Sequence, residues 1–256
     1  MCDLWKHTVE ETVPVGAIPA QIRESLARLP PARRIKLYNA GSFFDPRAIP
    51  PADHERIALL LDRFERVVVE CHPALVGSAC FRFHDLLDGR LEVAVGLETV
   101  HPSVLPRLNK GMTLEQFRRA ADALGRGGIA LRTFVLLGLP FVSPAESVEW
   151  CGRSVEFAFD CGSTAVSLIP TRAGNGALDA LAGTGDFLPP TLRMLEESVA
   201  RGLALRRGRV FADLWDLTRL KDCADCFEAR EGRLRMINLE QRLAPPIRCS
   251  SCGGGL

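Results

Sequence analysis

Residues Leu91–Gly111 read LEVAVGLETVHPSVLPRLNKG. Across the first eight, apolar side chains fall on both faces (Leu91, Val93, Ala94, Val95, Leu97), the pattern of a parallel strand covered on both sides. The strand ends at Glu98-Thr99, and a carboxylate at the end of a buried strand is costly without a partner or a ligand. A segment punctuated by Pro102 and Pro106 leads through Asn109-Lys110-Gly111 to a helix opening at Thr113, with Gln116 placed to complete a capping box. Strand, polar tip, long loop and helix make a βα unit whose working end is the strand's C-terminus.

The same grammar repeats outward. Further strands are expected at Ile35–Tyr38, Val67–Glu70, Leu131–Leu137 and Ala165–Ile169, with helices at Ile18–Leu29, Asp53–Phe64, Ser78–Leu87 and Thr113–Arg126. Ser143-Pro144-Ala145-Glu146 is a strong helix start, with serine at the N-cap, proline at the first helical position and glutamate at the third. That helix runs to Cys161-Gly162. Strands at intervals of about 30 residues, each followed by a helix, are consecutive βαβ units, which right-handed crossovers roll into a barrel or an open doubly wound sheet. The fold class is therefore α/β. A helix over Leu188–Arg206 leads to Arg209–Trp215, a candidate sixth strand. The chain opens with a loop and a helix, the second half of a βα unit, so the pattern expects a strand ahead of Met1. We expect a barrel over residues 1–215 and a small cysteine-rich extension over 216–256.

Composition sets the outer limits. The 256 residues, 47% hydrophobic, can bury a substantial core as one large domain or two small ones. A formal net charge of +1 makes no global electrostatic case for nucleic acid or an anionic membrane. The cations are 28 Arg against 4 Lys, which reads as compositional bias and not as a phosphate-binding signal. No apolar run approaches the ~18 residues of a membrane span, and Asp3, Glu10 and Glu11 deny the N-terminus the character of a signal peptide. Nine cysteines, four of them in CxxC pairs, suit a reducing compartment and metal ligation, so a cytoplasmic location is expected.

Cys223-x2-Cys226 and Cys249-x2-Cys252 are the most specific local signal, since two such pairs can enclose one tetrahedral metal. Their 22-residue separation slightly exceeds the usual ribbon spacing of about 15–20 residues. Structural zinc and an iron–sulfur cluster are both open to this ligand set. Cys71, Cys80, Cys151 and Cys161 lie in or beside core elements and read as buried, inert thiols. The second signal is polar: Asn39 with Gly41-Ser42, Glu70, Glu98 and Thr171-Arg172 all stand at strand ends. Singly, each is more often a salt bridge or a cap; together they describe the rim where parallel barrels bind ligands. Gly41 and Gly138 allow backbone to approach a ligand closely, though ordinary turns use glycine too. The five histidines share no ligand spacing with the cysteines, and the Arg201, Arg206, Arg207, Arg209 group reads as a solvated helix face.

At these residues the chain resembles radical S-adenosylmethionine (SAM) proteins of the group related to the Elongator catalytic subunit. More narrowly, it resembles the family containing the radical SAM subunit of archaeosine synthase and its bacterial relatives. The resemblance is carried by MCDLW, LYNAGSFFDP, VVVECHP, VGLET, LNKGMT, FVLLGLP and SLIPTRAGNG, in that order from Met1 to about Ala212. It implies a partial (β/α)6 TIM-like radical SAM barrel whose first strand is followed by a CxxxCxxC loop. That loop holds a 4Fe-4S cluster whose open iron binds SAM. By resemblance, Asn39 to Ser42 match a motif near the SAM amino group. Glu70 and Glu98 match positions facing its ribose or amino-acid part, and Gly138 matches a segment near adenine. Cys2 matches the last cluster cysteine.

The other two cluster cysteines would stand three and seven residues before Cys2, ahead of Met1. The expectation is thus an N-terminally shortened copy lacking its first strand and most of the cluster loop. The full-length form would cleave SAM to a 5′-deoxyadenosyl radical and modify a tRNA base or another small heterocycle, with a partner subunit and no membrane association. The 256-residue chain itself would lack that activity. Two rivals are a non-catalytic zinc-ribbon-bearing module that binds a partner or RNA, and an ordinary TIM-like enzyme using Glu70 and Glu98 as acid and base.

Overall fold

The computed structural model describes residues 11–39, 41–174 and 176–254. Cys2 lies outside them. Six strands, β1 (Arg34–Leu37), β2 (Arg66–Glu70), β3 (Leu91–Glu98), β4 (Ala130–Leu137), β5 (Ala165–Pro170) and β6 (Arg209–Ala212), form one sheet in that spatial order. The β1–β2, β2–β3 and β5–β6 pairings are parallel. Chain order equal to spatial order, with helices in the crossovers, is the topology of a partial (β/α)6 barrel. The helices are α1 (Ala17–Arg28), α2 (His54–Leu60), α3 (Ser78–Leu86), α4 (Val104–Arg107), α5 (Leu114–Arg126), α6 (Pro144–Asp160), α7 (Ala177–Gly183), α8 (Leu192–Ala204) and α9 (Phe227–Glu240).

The described residues fall into two compact units, one of those through Gly96 with Leu114–Arg132, the other of Leu97–Thr113 with Thr133 onward. In the first, Leu91 and Val93 of β3 join Ile57, Leu61, Val67, Phe83, Leu87 and Leu124 in a core with no measurable exposure. The alternate β3 residue Glu92 is also buried, and its carboxylate is paired with Arg132 Nε at 2.7 Å. An unpaired charge there would be strongly destabilising.

In the second unit, α6 and α8 pack together and cover β5, burying Val155, Leu195, Val199, Val166 and Leu168. The expected start of α6 is present in full: Ser143 Oγ accepts from the Glu146 N–H, and Glu146 reaches back to the Ser143 N–H. The helix expected from Leu188 begins at Leu192 instead, because Pro189 and Pro190 each push the residue before them out of the helical region and Thr191 serves as N-cap.

The outer edge of β6 is closed by side chains. Asn238 Nδ2 donates to the Ala212 carbonyl (2.8 Å) and its Oδ1 accepts from the Ala212 N–H (2.8 Å). Gln241 repeats the arrangement on Val210, at 3.1 and 2.8 Å. Two amides, one on α9 and one at its C-cap, thus take the hydrogen bonds a seventh strand would make and blunt an otherwise exposed edge.

Candidate metal centre and the strand ends

The two CxxC pairs come together. Among the described residues, Cys223, Cys226, Cys249 and Cys252 are the group of cysteines, histidines and carboxylates able to hold a metal, with all four sulfurs within 4.8 Å of one another. The Cys223–Cys249 and Cys226–Cys252 Sγ separations are 3.9 and 3.6 Å. A tetrahedron with metal–sulfur bonds of about 2.3 Å has edges of about 3.8 Å. The arrangement fits one tetrahedral ion. A four-iron cluster puts each thiolate on its own iron and needs the sulfurs farther apart. Between the pairs lies α9, a helix of 14 residues, which accounts for the long gap. The extension holds its cysteines without the ribbon of the rival reading: 216–254 contains no strand, because the intervening sequence has helix-forming residues and no alternation.

The local backbone is shaped around the sulfurs. The Gly254 N–H points at Cys252 Sγ (3.4 Å), and Gly254 takes φ +91 where a Cβ would lie 1.8 Å from the Ile247 carbonyl oxygen. Backbone N–H groups of Ser251 and Cys252 hold the Cys249 thiol down to about 7, while burial pushes that of Cys226 up to about 12. Behind Cys226 lies Arg230, 1% exposed, with Nη1 4.0 Å from the sulfur. Its Nε and Nη2 donate to Glu196 on α8 (3.0 and 2.7 Å), and Nη1 donates to Asp222. Arg233 donates to the other Glu196 oxygen at 3.3 Å. Burial opposes the Arg230 charge, but the bonds to Glu196 and Asp222 outweigh it and raise its pKa above the ordinary value. This network was not legible in the sequence, where nothing marks Arg230 among 28 arginines.

The strand-end residues are distributed between the units. In the first, Asn39 is partly buried and its Oδ1 is a buried acceptor without a partner. A Cβ on Gly41 would meet nothing within 4 Å, so that backbone faces open space. Ser42 is buried with Oγ accepting from the His72 N–H (2.8 Å), and the Phe43 N–H donates to the carbonyl of Glu70, itself half-buried (2.8 Å). In the second unit, Glu98 takes a left-handed φ of +64 and is ion-paired with Lys110. Gly138, at φ +81, donates its N–H to Ser147 Oγ (2.8 Å), and a Cβ would sit 2.6 Å from Pro190 and 2.7 Å from Thr171 Oγ1. Packing alone therefore demands glycine there. Cys71, Cys80 and Cys151 are buried, with thiols pushed up to about 12 by burial.

An orphaned acceptor at Asn39 fits an ammonium donor such as the SAM amino group. Among the described residues the group able to hold a metal is the set of four cysteines after β6, and Cys2, the residue matched to the 4Fe-4S loop, lies outside them. No helix among the described residues is long and apolar enough to cross a membrane.

The fold is the one shared by radical SAM enzymes. Archaeal Elp3 of Methanocaldococcus infernus, solved with an N-terminal deletion, matches with a TM-score of 0.64 over 91% of this chain and 60% of that one, at 17% identity. Methylornithine synthase (PylB) matches at 0.52 over 96% and 79%, at 12% identity. The HMG-CoA lyase of Brucella melitensis matches at 0.53 over 91% and 73%, at 18% identity, so the fold by itself does not select the chemistry. In sequence, the chain is 26% identical over 204 residues to archaeosine synthase subunit beta of Methanosarcina acetivorans, covering 73% of this chain and 58% of that protein. The Thermococcus kodakarensis protein of the same name is 29% identical over 148 residues, covering 54% and 46%. The chain spans about half the length of the curated relatives it matches. No protein-family model matches it.

Proposed function

We propose that the chain is the barrel of a radical SAM protein akin to archaeosine synthase subunit beta, with zinc at Cys223, Cys226, Cys249 and Cys252. The sequence match across 204 residues to that subunit, on a radical SAM fold, carries the reading. The substrate class is a modified tRNA base or another small heterocycle, and a partner subunit completes the assembly. Within the first unit the proposed SAM-facing residues are Asn39, Gly41, Ser42 and Glu70, with Asn39 Oδ1 accepting from the ligand's ammonium, and within the second they are Glu98 and Gly138. Zinc is favoured over an auxiliary iron–sulfur cluster by the tetrahedral sulfur spacing. No step is assigned through a cluster on Cys2.

The test uses the 256-residue chain. Metal analysis should find one zinc per chain, and calorimetry should find SAM binding that Asn39→Ala weakens about 10- to 150-fold, the loss of one hydrogen bond to a charged donor. Iron in place of zinc would refute the metal assignment. One zinc with no SAM binding would favour the second reading, a non-catalytic metal-bearing module, which the intact four-cysteine centre also supports.

A further inference from the structure

We propose that Trp215 is a stacking platform for a nucleobase at the C-terminal ends of β5 and β6, held in place by Arg172 as a positioning residue. The proposal rests on the tRNA-base reading above and names the surface that would meet the base.

β5 and β6 are parallel neighbours with Leu168 opposite Ala212. Arg172 lies two residues beyond the end of β5 and Trp215 three beyond the end of β6, so both stand at the strand ends where parallel barrels bind ligands. Trp215 is 69% exposed. A tryptophan has more apolar surface to bury than any other side chain, and holding one in solvent forgoes that stabilisation unless something else covers it.

The residue is exposed but not loose. Arg172 donates to the Trp215 carbonyl, pairs with Asp213 at 3.0 Å and reaches the Pro170 carbonyl at 3.1 Å. The Asp213 N–H donates to the Leu168 carbonyl (2.9 Å), and the Trp215 N–H to Asp213 Oδ1 (3.2 Å). Arg219 links the same two loops, donating to the Ala173 carbonyl (2.6 Å) while pairing with Asp216, which itself takes a left-handed φ of +49. The Arg172 side chain is only 10% exposed, its guanidinium carbon lies 5.0 Å from the Trp215 ring centroid, and its Nε is buried without an acceptor.

An indole fixed by its backbone, with a cation against one face, presents its remaining surface as a preordered aromatic plane. Such a plane suits a flat π-system, and a base can stack on it without sequence-specific hydrogen bonds. The flanking Asp213, Asp216, Thr218 and Arg219 are polar, so the surroundings lack the contiguous apolar area that would recommend a protein partner. Arg219, about half exposed, is a cation at hand for a phosphate beside the stacked base.

The test is binding of a fluorescently labelled, mixed-sequence ten-nucleotide single-stranded RNA at fixed salt, with a base-free ribose-phosphate strand of equal length as control. Trp215→Ala should weaken RNA binding roughly 5- to 150-fold, the usual range for losing one base–aromatic stack. Trp215→Phe should stay within about 3-fold of the parent, and the control strand should not distinguish the three proteins. Thermal melts should coincide, because the side chain is mostly in solvent. Equal RNA affinity of parent and Trp215→Ala, absence of RNA binding by the parent, or a dimer that Trp215→Ala dissolves would overturn the proposal. SAM binding by the same variants separates the two readings. If SAM binds and RNA is indifferent to residue 215, only the stacking inference fails.

Discussion

Replacing Glu196 by glutamine tests whether the metal centre is braced by the barrel helix behind it. Glu196 is 2% exposed and receives three guanidinium donors, two from Arg230 and one from Arg233. Glutamine keeps the shape and removes the charge. Arg230 then keeps only Asp222 as a carboxylate partner, and Arg233 keeps the carbonyls of Ala244 and Pro245. Arginine cannot shed its proton, so two buried cations lose their shared anion. Breaking a buried pair in this way costs about 3–5 kcal/mol, against a total stability of about 5–15 kcal/mol. With a urea slope of about 2 kcal/mol/M, the midpoint should fall by about 1.5–2.5 M. Because Arg230 also faces Cys226, zinc affinity measured by chelator competition should fall about 10- to 100-fold. A triple replacement, Glu196→Leu with Arg230→Met and Arg233→Met, should regain most of the stability but not the zinc affinity. Loss of less than about 1 kcal/mol in Glu196→Gln, with unchanged zinc affinity, would refute the bracing.

Three further outcomes follow from the same structure. With Cys71, Cys80 and Cys151 pushed up to about 12, roughly one thiol in 10⁴ is ionised at pH 8, so iodoacetamide should label none of them until urea is added. In the zinc-stripped protein Cys249, held near 7, should label first, and its labelling should slow as pH falls from 8 to 6 because the thiolate is lost through that range; mass spectrometry showing Cys151 labelled ahead of Cys249 would contradict this. Asn238→Ala with Gln241→Ala should cost about 1–3 kcal/mol in urea unfolding for each amide removed, and the bared β6 edge should give concentration-dependent association in light scattering. A stable, monomeric double variant would count against the edge-closing role.

What the sequence makes legible is what repeats or what sits at short fixed spacing. The doubly apolar run at Leu91–Leu97 is a strand buried over its whole length, the Ser143–Glu146 box starts α6, and the two CxxC pairs converge. Each is a local pattern with one physical solution. The relations that stabilise the second unit are long-range and use common residue types. Asn238 near the end of α9 and Gln241 at its C-cap bond backbone atoms 26 and 31 residues away. Glu196 and Arg230 are separated by 34 residues. The helix α9 also escapes a periodicity reading, since its buried residues include Arg230 and Arg233 beside Phe227, Leu234 and Ile237. Charges there belong to the inner face because their partners do.

The strand-end residues pose a narrower question, and Glu98 shows how it is answered. A glutamate at φ +64 closing a strand is costly for a side chain with no local reason to prefer the left-handed region. The loop after β3 returns with a second such residue, Asn109 at φ +53, placing Lys110 against Glu98 Oε1. Both departures serve one contact, which gives a half-buried carboxylate at the end of a buried strand its partner. It also restricts what can bind. A ligand cation would have to compete with Lys110 for the same charge. A hydroxyl donor could use Oε2 while the lysine stays. Of the two SAM portions that Glu98 is proposed to face, this geometry therefore favours the ribose hydroxyls over the amino group.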